Sequence, residues 1–262
     1  MKILVQSDDY GFTRGVVAGM CDAFERGIIT SAGLFANMPI CEEAVRKIQA
    51  FPHICLGIDI NVSSGPCVSD PSSLPTLVNL ETGQFIQTSQ RMKDPRWGQD
   101  VFKPYDECYR EACAQIEKFI AVTGHLPEYL QSHSTSGSLQ YLAAIRDAAH
   151  RYDIPFSYEV REKYAIHVLM PQCEGDPYSY ENQTVDRVAL MLEQLNAHQD
   201  AEYVCLPSHC GFVDAELMSL SRCNLARAYD HAYLTSPSIR AWIDDHHAQL
   251  ISYRDLPMSK SS

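Results

Sequence analysis

Two adjacent carboxylates stand at the end of the first apolar run of the sequence. Residues 2–6 (KILVQ) have β-branched character and are followed by Ser-Asp-Asp-Tyr-Gly, with the carboxylates at Asp8 and Asp9. Neighbouring Asp side chains repel each other and need water, cations or hydrogen-bond donors to stay ionised. At the carboxyl end of a strand they lie where α/β proteins place their chemistry. The pair therefore predicts a functional site.

Three further polar side chains stand in or after apolar runs. Asp59 lies inside the run 54–62, and His133 and His209 each follow a short strand-like segment. Because parallel strands share one carboxyl face, these groups are expected to meet the Asp pair there. Two or three oxygen ligands and an imidazole suit a divalent cation with open positions. A spare carboxylate and a separate histidine can act as general base and acid, which predicts a metal-assisted hydrolase.

Each of these residues also has a structural interpretation. A single Asp after a strand is most often a turn or helix-capping residue, which is the alternative for Asp9. For His133 and His209 a capping or core role stands beside the catalytic one. A carboxylate in surroundings as apolar as those of Asp59 would be buried and would need a partner, either in a functional site or in a buried polar network.

The rest of the chain supplies elements that could position these groups. Near-continuous apolar runs alternate with amphipathic helical patterns, beginning with β-α-β-α-β over residues 1–62. This alternation is typical of a parallel sheet with both faces covered. Residues 63–104 predict a long loop over the active site, and residues 155–158 predict a strand. We expect an α/β, single-domain (β/α) barrel-like fold of distorted TIM type with about seven parallel strands, spanning residues 1–257, and a disordered tail over 258–262.

Composition excludes several classes of partner. The 262 residues carry a formal net charge of -12 and no cluster of Lys and Arg, which argues against nucleic acid and anionic membranes. The sequence shows neither a signal peptide nor a membrane-spanning run, so the expected location is the cytoplasm. The ten cysteines have no CxxC spacing and are interpreted as buried, reduced thiols. The expected partner is a small-molecule substrate; the oligomeric state is open, with a homodimer as one candidate.

At these positions the sequence resembles a known family. Residues 7–12 (SDDYGF), 27–32 (GIITSA) and 36–39 (ANMP) are similar to A-D-D-F-G-L-S, G-I-V-T-S-T and A-N-M-P in the opening of the YdjC-like (ChbG/HpnK) carbohydrate deacetylases. Later segments follow in order: 57–60 stands where the family has G-L-H-L, and 131–133 where it has D-S-H. The likeness continues to the last third of the chain, where 209–214 resembles H-P-G-Y-x-D and 227–234 resembles R-x-x-E-L-x-x-L.

The resemblance implies a (β/α) barrel-like fold, one divalent metal ion and hydrolysis of an N-acetyl group from an amino sugar. It implies that Asp8 is the general base and His209 the general acid. It also implies that Asp9 and His133 are metal ligands.

Departures from the family pattern lie at the site. Asp59 stands where the family has a histidine ligand, so the ligand set expected here is Asp9, Asp59 and His133. A carboxylate is a harder, anionic ligand and favours Mg²⁺ or Mn²⁺ relative to Zn²⁺. Gln131 and Cys210 replace an Asp and a Pro of the pattern.

The expected activity is metal-dependent deacetylation of an N-acetylated sugar or a similar small polar amide. Two alternatives remain open at this stage. One is a divergent member that binds a ligand without hydrolysing it, and the other is a hydrolase of a non-sugar amide or ester.

Overall fold

Seven parallel strands form the centre of the structure, a computed structural model that describes residues 1–134, 137–171 and 174–257. The sheet runs β4-β3-β2-β1-β6-β5, and β7 also pairs with β1. It is curled into a half-barrel surrounded by helices, which confirms the expected single-domain α/β barrel-like fold. The strands are β1 (Lys2–Tyr10), β2 (Ser31–Leu34), β3 (Cys55–Ile60), β4 (Leu130–Ser132), β5 (His167–Val168), β6 (Tyr203–Ser208) and β7 (Gln249–Ile251).

Helices cover this sheet, and side-chain caps define where several of them begin. Thr13, Ser138 and Asp214 each accept a backbone N–H of the first helical turn that follows. The helices are α1 (Arg14–Arg26), α2 (Cys41–Ile48), α3 (Thr88–Arg91), α4 (Tyr105–Thr123), α5 (Leu139–Arg151), α6 (Ser157–Lys163), α7 (Tyr180–Gln183), α8 (Arg187–Ala197), α9 (Ala215–Leu220), α10 (Leu225–Leu234) and α11 (Pro237–Asp245), with 3-10 turns at Pro71–Ser73 and Tyr253–Asp255. None of the helices described is long and apolar enough to cross a membrane.

Strand β1 is the centre of the sheet. One of its edges pairs with β6 along residues 2–7, while the other pairs with β7 over residues 2–4 and with β2 from Gln6 onward. Side chains alternate across the strand, so Ile3 and Val5 join the large core beneath the helices and Leu4 joins a smaller core on the opposite face. The strand extends to Tyr10, so both Asp residues lie within it rather than after it.

Residues 63–104 form the long, mostly irregular connection that the sequence predicts. Buried side chains hold it in place. Glu111 of α4 accepts hydrogen bonds from the backbone N–H groups of Val68 and Ser69, each at 2.9 Å. Arg91, within the loop itself, donates to the carbonyl oxygens of Ile86 at 3.0 Å and Leu77 at 3.0 Å. The loop is therefore anchored to the fold at several points.

The predicted strand at residues 155–158 is wrong. Phe156 makes only a single parallel bridge to Leu130, and α6 begins at Ser157. Pro155 accepts a hydrogen bond from the N–H of Leu130 at 2.9 Å, but it has no N–H with which to extend the ladder. The predicted tail over residues 258–262 lies outside the described residues.

The segment 209–214, which follows β6, packs directly on α1. Gly15 donates its N–H to a carboxylate oxygen of Asp214 at 2.6 Å, and the N–H of Phe212 donates to the carbonyl of Gly15 at 3.1 Å. A Cβ atom at Gly19 would meet the carbonyl carbon of Gly211 at 2.6 Å, which is closer than real Cβ contacts. The close approach of helix and segment therefore requires glycine at position 19.

We expect Gly19→Ala to destabilise the protein by about 1–3 kcal/mol, because the added methyl group would force the 209–214 backbone away from α1. We expect this loss of stability even though alanine favours a helix more than glycine does. Urea unfolding followed by circular dichroism measures it. Ala18→Ser, on the exposed face of the same helix, is the matched control, and an equal loss in both variants would contradict the packing argument.

Candidate functional site

The five residues expected to do chemistry all lie at the carboxyl ends of neighbouring strands. Asp8 and Asp9 are on β1 and Asp59 is on β3. His133 directly follows β4, and His209 directly follows β6. Since β4, β3, β2, β1 and β6 are consecutive in the sheet, their parallel ends bring the five side chains to one edge.

Three of these residues form a compact set of ligand atoms. Asp9, Asp59 and His133 each offer one such atom, and the three atoms lie within 4.8 Å of one another. Nδ1 of His133 is 2.9 Å from Oδ1 of Asp9, and the Asp9 N–H donates to Oδ2 of Asp59 at 3.4 Å. Oδ1 of Asp59 is buried without a hydrogen-bond partner among the described residues. Two carboxylates, an imidazole and an unsatisfied buried oxygen fit a divalent cation.

A glycine makes room for the carboxylates. A Cβ atom at Gly33 of β2 would meet Cβ of Asp59 at 3.0 Å and Oδ1 of Asp8 at 3.6 Å. Gly33 lies on the strand between β1 and β3, so its missing side chain lets the two Asp side chains lie over β2. Any larger residue there would occupy this space.

Asp9 adopts a backbone conformation unusual for a residue other than glycine. Its φ is 66°, in the left-handed region, and the register of β1 against β2 is broken between Ser7 and Tyr10. The strict alternation of side chains therefore ends here. Strain of this kind persists where surrounding contacts hold it, commonly at functional sites.

Arg227 holds Asp9 together with His133. This arginine is 1% exposed, and its Nη2 donates to Oδ2 of Asp9 at 2.5 Å. Its Nε donates to the carbonyl of Cys223 at 2.9 Å. Burial alone would raise the pKa of Asp9, but the nearby His133 and Arg227 hold it well below its usual range. Asp9 is therefore ionised across the physiological range.

Asp8 has different partners. Nε2 of Gln6 donates to its Oδ1 at 2.5 Å, and the residue is 7% exposed. Burial raises the pKa of Asp8, and the neighbouring Asp9 charge adds to this, while His209 and the Gln6 hydrogen bond oppose it. The two adjacent carboxylates therefore differ in charge environment. Asp9 is held ionised, whereas Asp8 takes up a proton more readily than an ordinary Asp.

Asp59 is the least compensated carboxylate of the three. Burial raises its pKa well above the usual value, and the charges of Asp8 and Asp9 raise it further. Only the N–H of Asp9 is available to it as a hydrogen-bond donor within the described residues. In the metal-free protein Asp59 thus binds a proton more tightly than an ordinary carboxylate.

His209 is tied to α10 through Asp230. The backbone N–H of His209 donates to Oδ2 of Asp230 at 2.9 Å, and Nε of Arg187 lies 3.5 Å from the other carboxylate oxygen. Asp230 lies three residues after Arg227, so one face of α10 contacts both the Asp9 side and the His209 side of the site.

A cavity of about 750 Å³ opens above this edge of the sheet. Asp9, His133 and His209 line it, whereas Asp8 and Asp59 do not appear in its wall. This volume suits a small-molecule ligand. The rest of the wall comes from the 63–104 loop, the segment near Tyr178 and the α9–α10 connection, and includes Ser63, Ser64, Gln87, Thr88, Met92, Met170, Met218, Asn224 and Arg227.

Sequence analysis assigned no role in the site to four residues around it, although Arg227 and Asp230 stand at the R and E positions of the R-x-x-E-L-x-x-L motif. Gln6 and Arg227 bond directly to the Asp pair, Asp230 bonds to His209, and Arg161 bonds to Gln6. A signal for Gln6 exists, since it lies two residues before Asp8 and therefore on the same face of β1. Nothing in the local sequence pairs Arg227 with a residue 218 positions away.

The chain is similar to known proteins over nearly its whole length. The sequence profile of YdjC-like proteins matches residues 2–245. A Geobacillus stearothermophilus protein named carbohydrate deacetylase is 30% identical over 257 residues, with 96% of each chain covered. Carbohydrate deacetylase 2 of Listeria innocua is 28% identical over 262 residues, covering 98% of this chain and 99% of the relative.

A solved structure shares the fold. It is a protein of Enterococcus faecalis V583, described provisionally as a cellobiose-phosphate cleavage protein, with a TM-score of 0.78 and 22% identity over 98% of this chain and 99% of that one. The profile match spans nearly the whole chain, and the relatives align from end to end. This chain therefore belongs to the YdjC-like protein family.

Proposed function

We propose that this chain is a metal-dependent hydrolase that removes the acetyl group from an N-acetylated sugar. The observation that carries the proposal is the convergence of Asp9, Asp59 and His133 within 4.8 Å, beside Asp8 and His209 at one edge of the sheet. The relatives named carbohydrate deacetylase support the sugar substrate. The cavity supports a small ligand.

In this proposal Asp9, Asp59 and His133 hold one divalent cation, Mg²⁺, Mn²⁺ or Zn²⁺. The bound cation supplies positive charge against the negative charge that develops on the acyl oxygen, and it makes water easier to deprotonate. Arg227 keeps Asp9 ionised and in place for this role. The carboxylate of Asp59 makes the ligand set harder than one with a second imidazole.

Asp8 acts as the general base. One oxygen of its carboxylate takes a proton from water as the water oxygen attacks the acetyl carbonyl carbon. Its raised pKa makes it a better proton acceptor than an ordinary Asp. Its low exposure limits competing water.

His209 acts as the general acid. A ring nitrogen donates its proton to the amide nitrogen as the C–N bond breaks, so acetate and a free amino sugar leave. Asp230 holds the backbone of His209 at 2.9 Å and adds negative charge near the imidazole.

We expect Asp8→Asn and His209→Gln each to lower kcat by roughly 10²–10⁴-fold, because each removes one proton-transfer group. Metal affinity should stay close to that of the unaltered protein, since neither residue is a proposed ligand. Steady-state assays on a panel of N-acetylated sugars, with equilibrium dialysis for the metal, measure both quantities. Tight sugar binding with no product from the unaltered protein would favour the non-hydrolytic alternative.

Metal binding should release the proton that Asp59 holds in the metal-free protein. Since burial and the Asp8 and Asp9 charges raise the Asp59 pKa, metal affinity should fall as pH drops through that raised value. An ordinary carboxylate would lose affinity only near its own pKa of about 4. Mn²⁺ calorimetry in buffers of different protonation enthalpy measures the protons released.

Asp59→Asn is the matched control for this experiment. The substituted amide keeps a ligand oxygen but has no proton to release, whereas His133 is unchanged. Proton release should therefore be smaller by up to one proton per metal in the variant. Equal release in the two proteins would contradict the assignment of Asp59.

Asp59→His should shift metal preference towards Zn²⁺, because imidazole is a softer ligand than carboxylate. We expect the ratio of Zn²⁺ to Mn²⁺ affinity to rise by about tenfold or more. Competition dialysis with both metals measures this ratio without any substrate. Asp70→His, an exposed position on the 63–104 loop, controls for metal binding by an added histidine, and an unchanged ratio at position 59 would argue against its role as ligand.

A further inference from the structure

Gln6 lies in β1, two residues before Asp8, and it is fully buried. Its side chain lies on the face of the strand that Leu4 and Asp8 also occupy, where Arg161 and Tyr253 approach it. A buried amide needs both a donor and an acceptor partner, and a strand interior is a costly place to supply them. The presence of glutamine at this position therefore needs a reason.

The hydrogen bonds of Gln6 define the orientation of its amide. Nη2 of Arg161 donates to Oε1 at 2.7 Å, and the hydroxyl of Tyr253 donates to the same oxygen at 2.6 Å. A guanidinium group can only donate, so Oε1 must face Arg161. The amide nitrogen consequently faces Asp8 and donates to its Oδ1 at 2.5 Å.

This orientation distinguishes the two oxygens of Asp8. Oδ1 is occupied by the Gln6 donor, whereas Oδ2 receives no hydrogen bond from any described residue. The positive charge of Arg161 also acts on Asp8 through this arrangement. A carboxylate oxygen that already accepts a short hydrogen bond is a weaker proton acceptor than a free one.

We propose that Gln6 is the positioning residue of the general base: it holds Oδ1 of Asp8, so that Oδ2 takes the proton from the attacking water. The inference rests on the proposed function, because it assumes that Asp8 is the base. In the step itself, a water O–H bond breaks and its proton bonds to Oδ2, while the water oxygen bonds to the acetyl carbon and the carbonyl π electron pair moves to the acyl oxygen. Gln6 gives up no proton, and Arg161 and Tyr253 keep its amide from rotating.

Gln6→Glu tests this role. The substituted carboxylate still accepts from Arg161 and Tyr253, but it has no amide donor for Asp8 and places a second acidic group beside it. We expect kcat to fall by about tenfold or more, while KM and the Mn²⁺ dissociation constant stay within about threefold. A general disturbance of the structure would change KM and metal affinity together with kcat, rather than kcat alone.

Gln115→Glu is the matched control. Gln115 is also fully buried, and its Nε2 donates to a carboxylate oxygen of Glu111 at 2.8 Å. The same chemical change there should lower Tm but leave kcat within about threefold. Equal losses of kcat in the two variants would overturn the proposal, because the effect at Gln6 would then be general destabilisation. Retention of full kcat by Gln6→Glu would overturn it as well.

A second measurement tests the hydrogen bond between Gln6 and Asp8 without an activity assay. Gln6→Met should lower Tm more in the unaltered protein than in an Asp8→Ala background, because the hydrogen bond to Asp8 is already lost there. The bonds to Arg161 and Tyr253 are lost in both backgrounds and cancel. Equal losses of Tm would overturn the proposed hold of Gln6 on Asp8.

The outcomes also separate the two proposals. If the unaltered protein turns over no N-acetylated sugar, the proposed function fails, and the inference about its base fails with it. If the unaltered protein is active and Gln6→Glu is equally active, only the inference fails.

Discussion

Three carboxylates are buried together at the ends of β1 and β3, and the cost of burying them governs the structure around them. Asp8, Asp9 and Asp59 are each at most 7% exposed. Arg227 compensates Asp9 directly, and Arg161 acts on Asp8 through Gln6. Asp59 has no comparable partner among the described residues, which is why its pKa is raised most clearly. A divalent cation is the counter-charge that such a set fits.

The need to bury Arg227 extends this constraint to distant parts of the chain. Arg227 lies on α10, so α10 must pack firmly beside the end of β1. The segment 209–214 lies between α10 and α1 and bonds to both, through Asp230 and Gly15. The close packing at Gly19 is therefore part of the same arrangement. Stability of the helical layer and geometry of the site are in this way coupled.

Much of the fold, and the convergence of these polar side chains at one edge of the sheet, could be predicted from the sequence. Alternating apolar runs and helical patterns indicate the parallel sheet, and polar residues at the run ends indicate Asp9, Asp59 and His133. The partners could not be predicted, because Arg227 and Arg161 lie far along the chain and reach the site only through tertiary packing. The error at residues 155–158 has a local cause: a proline without an N–H ends the ladder where the apolar pattern continues.

The positive φ of Asp9 gives the neighbouring side chains of Asp8 and Asp9 different surroundings, and with them different proposed roles. In a regular strand, adjacent side chains lie on opposite faces. The positive φ of Asp9 ends that alternation, so its carboxylate reaches Arg227 and His133 while Asp8 stays on the face of Gln6. The Asp9 carboxylate is thereby held ionised beside the other two proposed metal ligands. Asp8 keeps one oxygen free of hydrogen bonds from the described residues, as a proton acceptor requires.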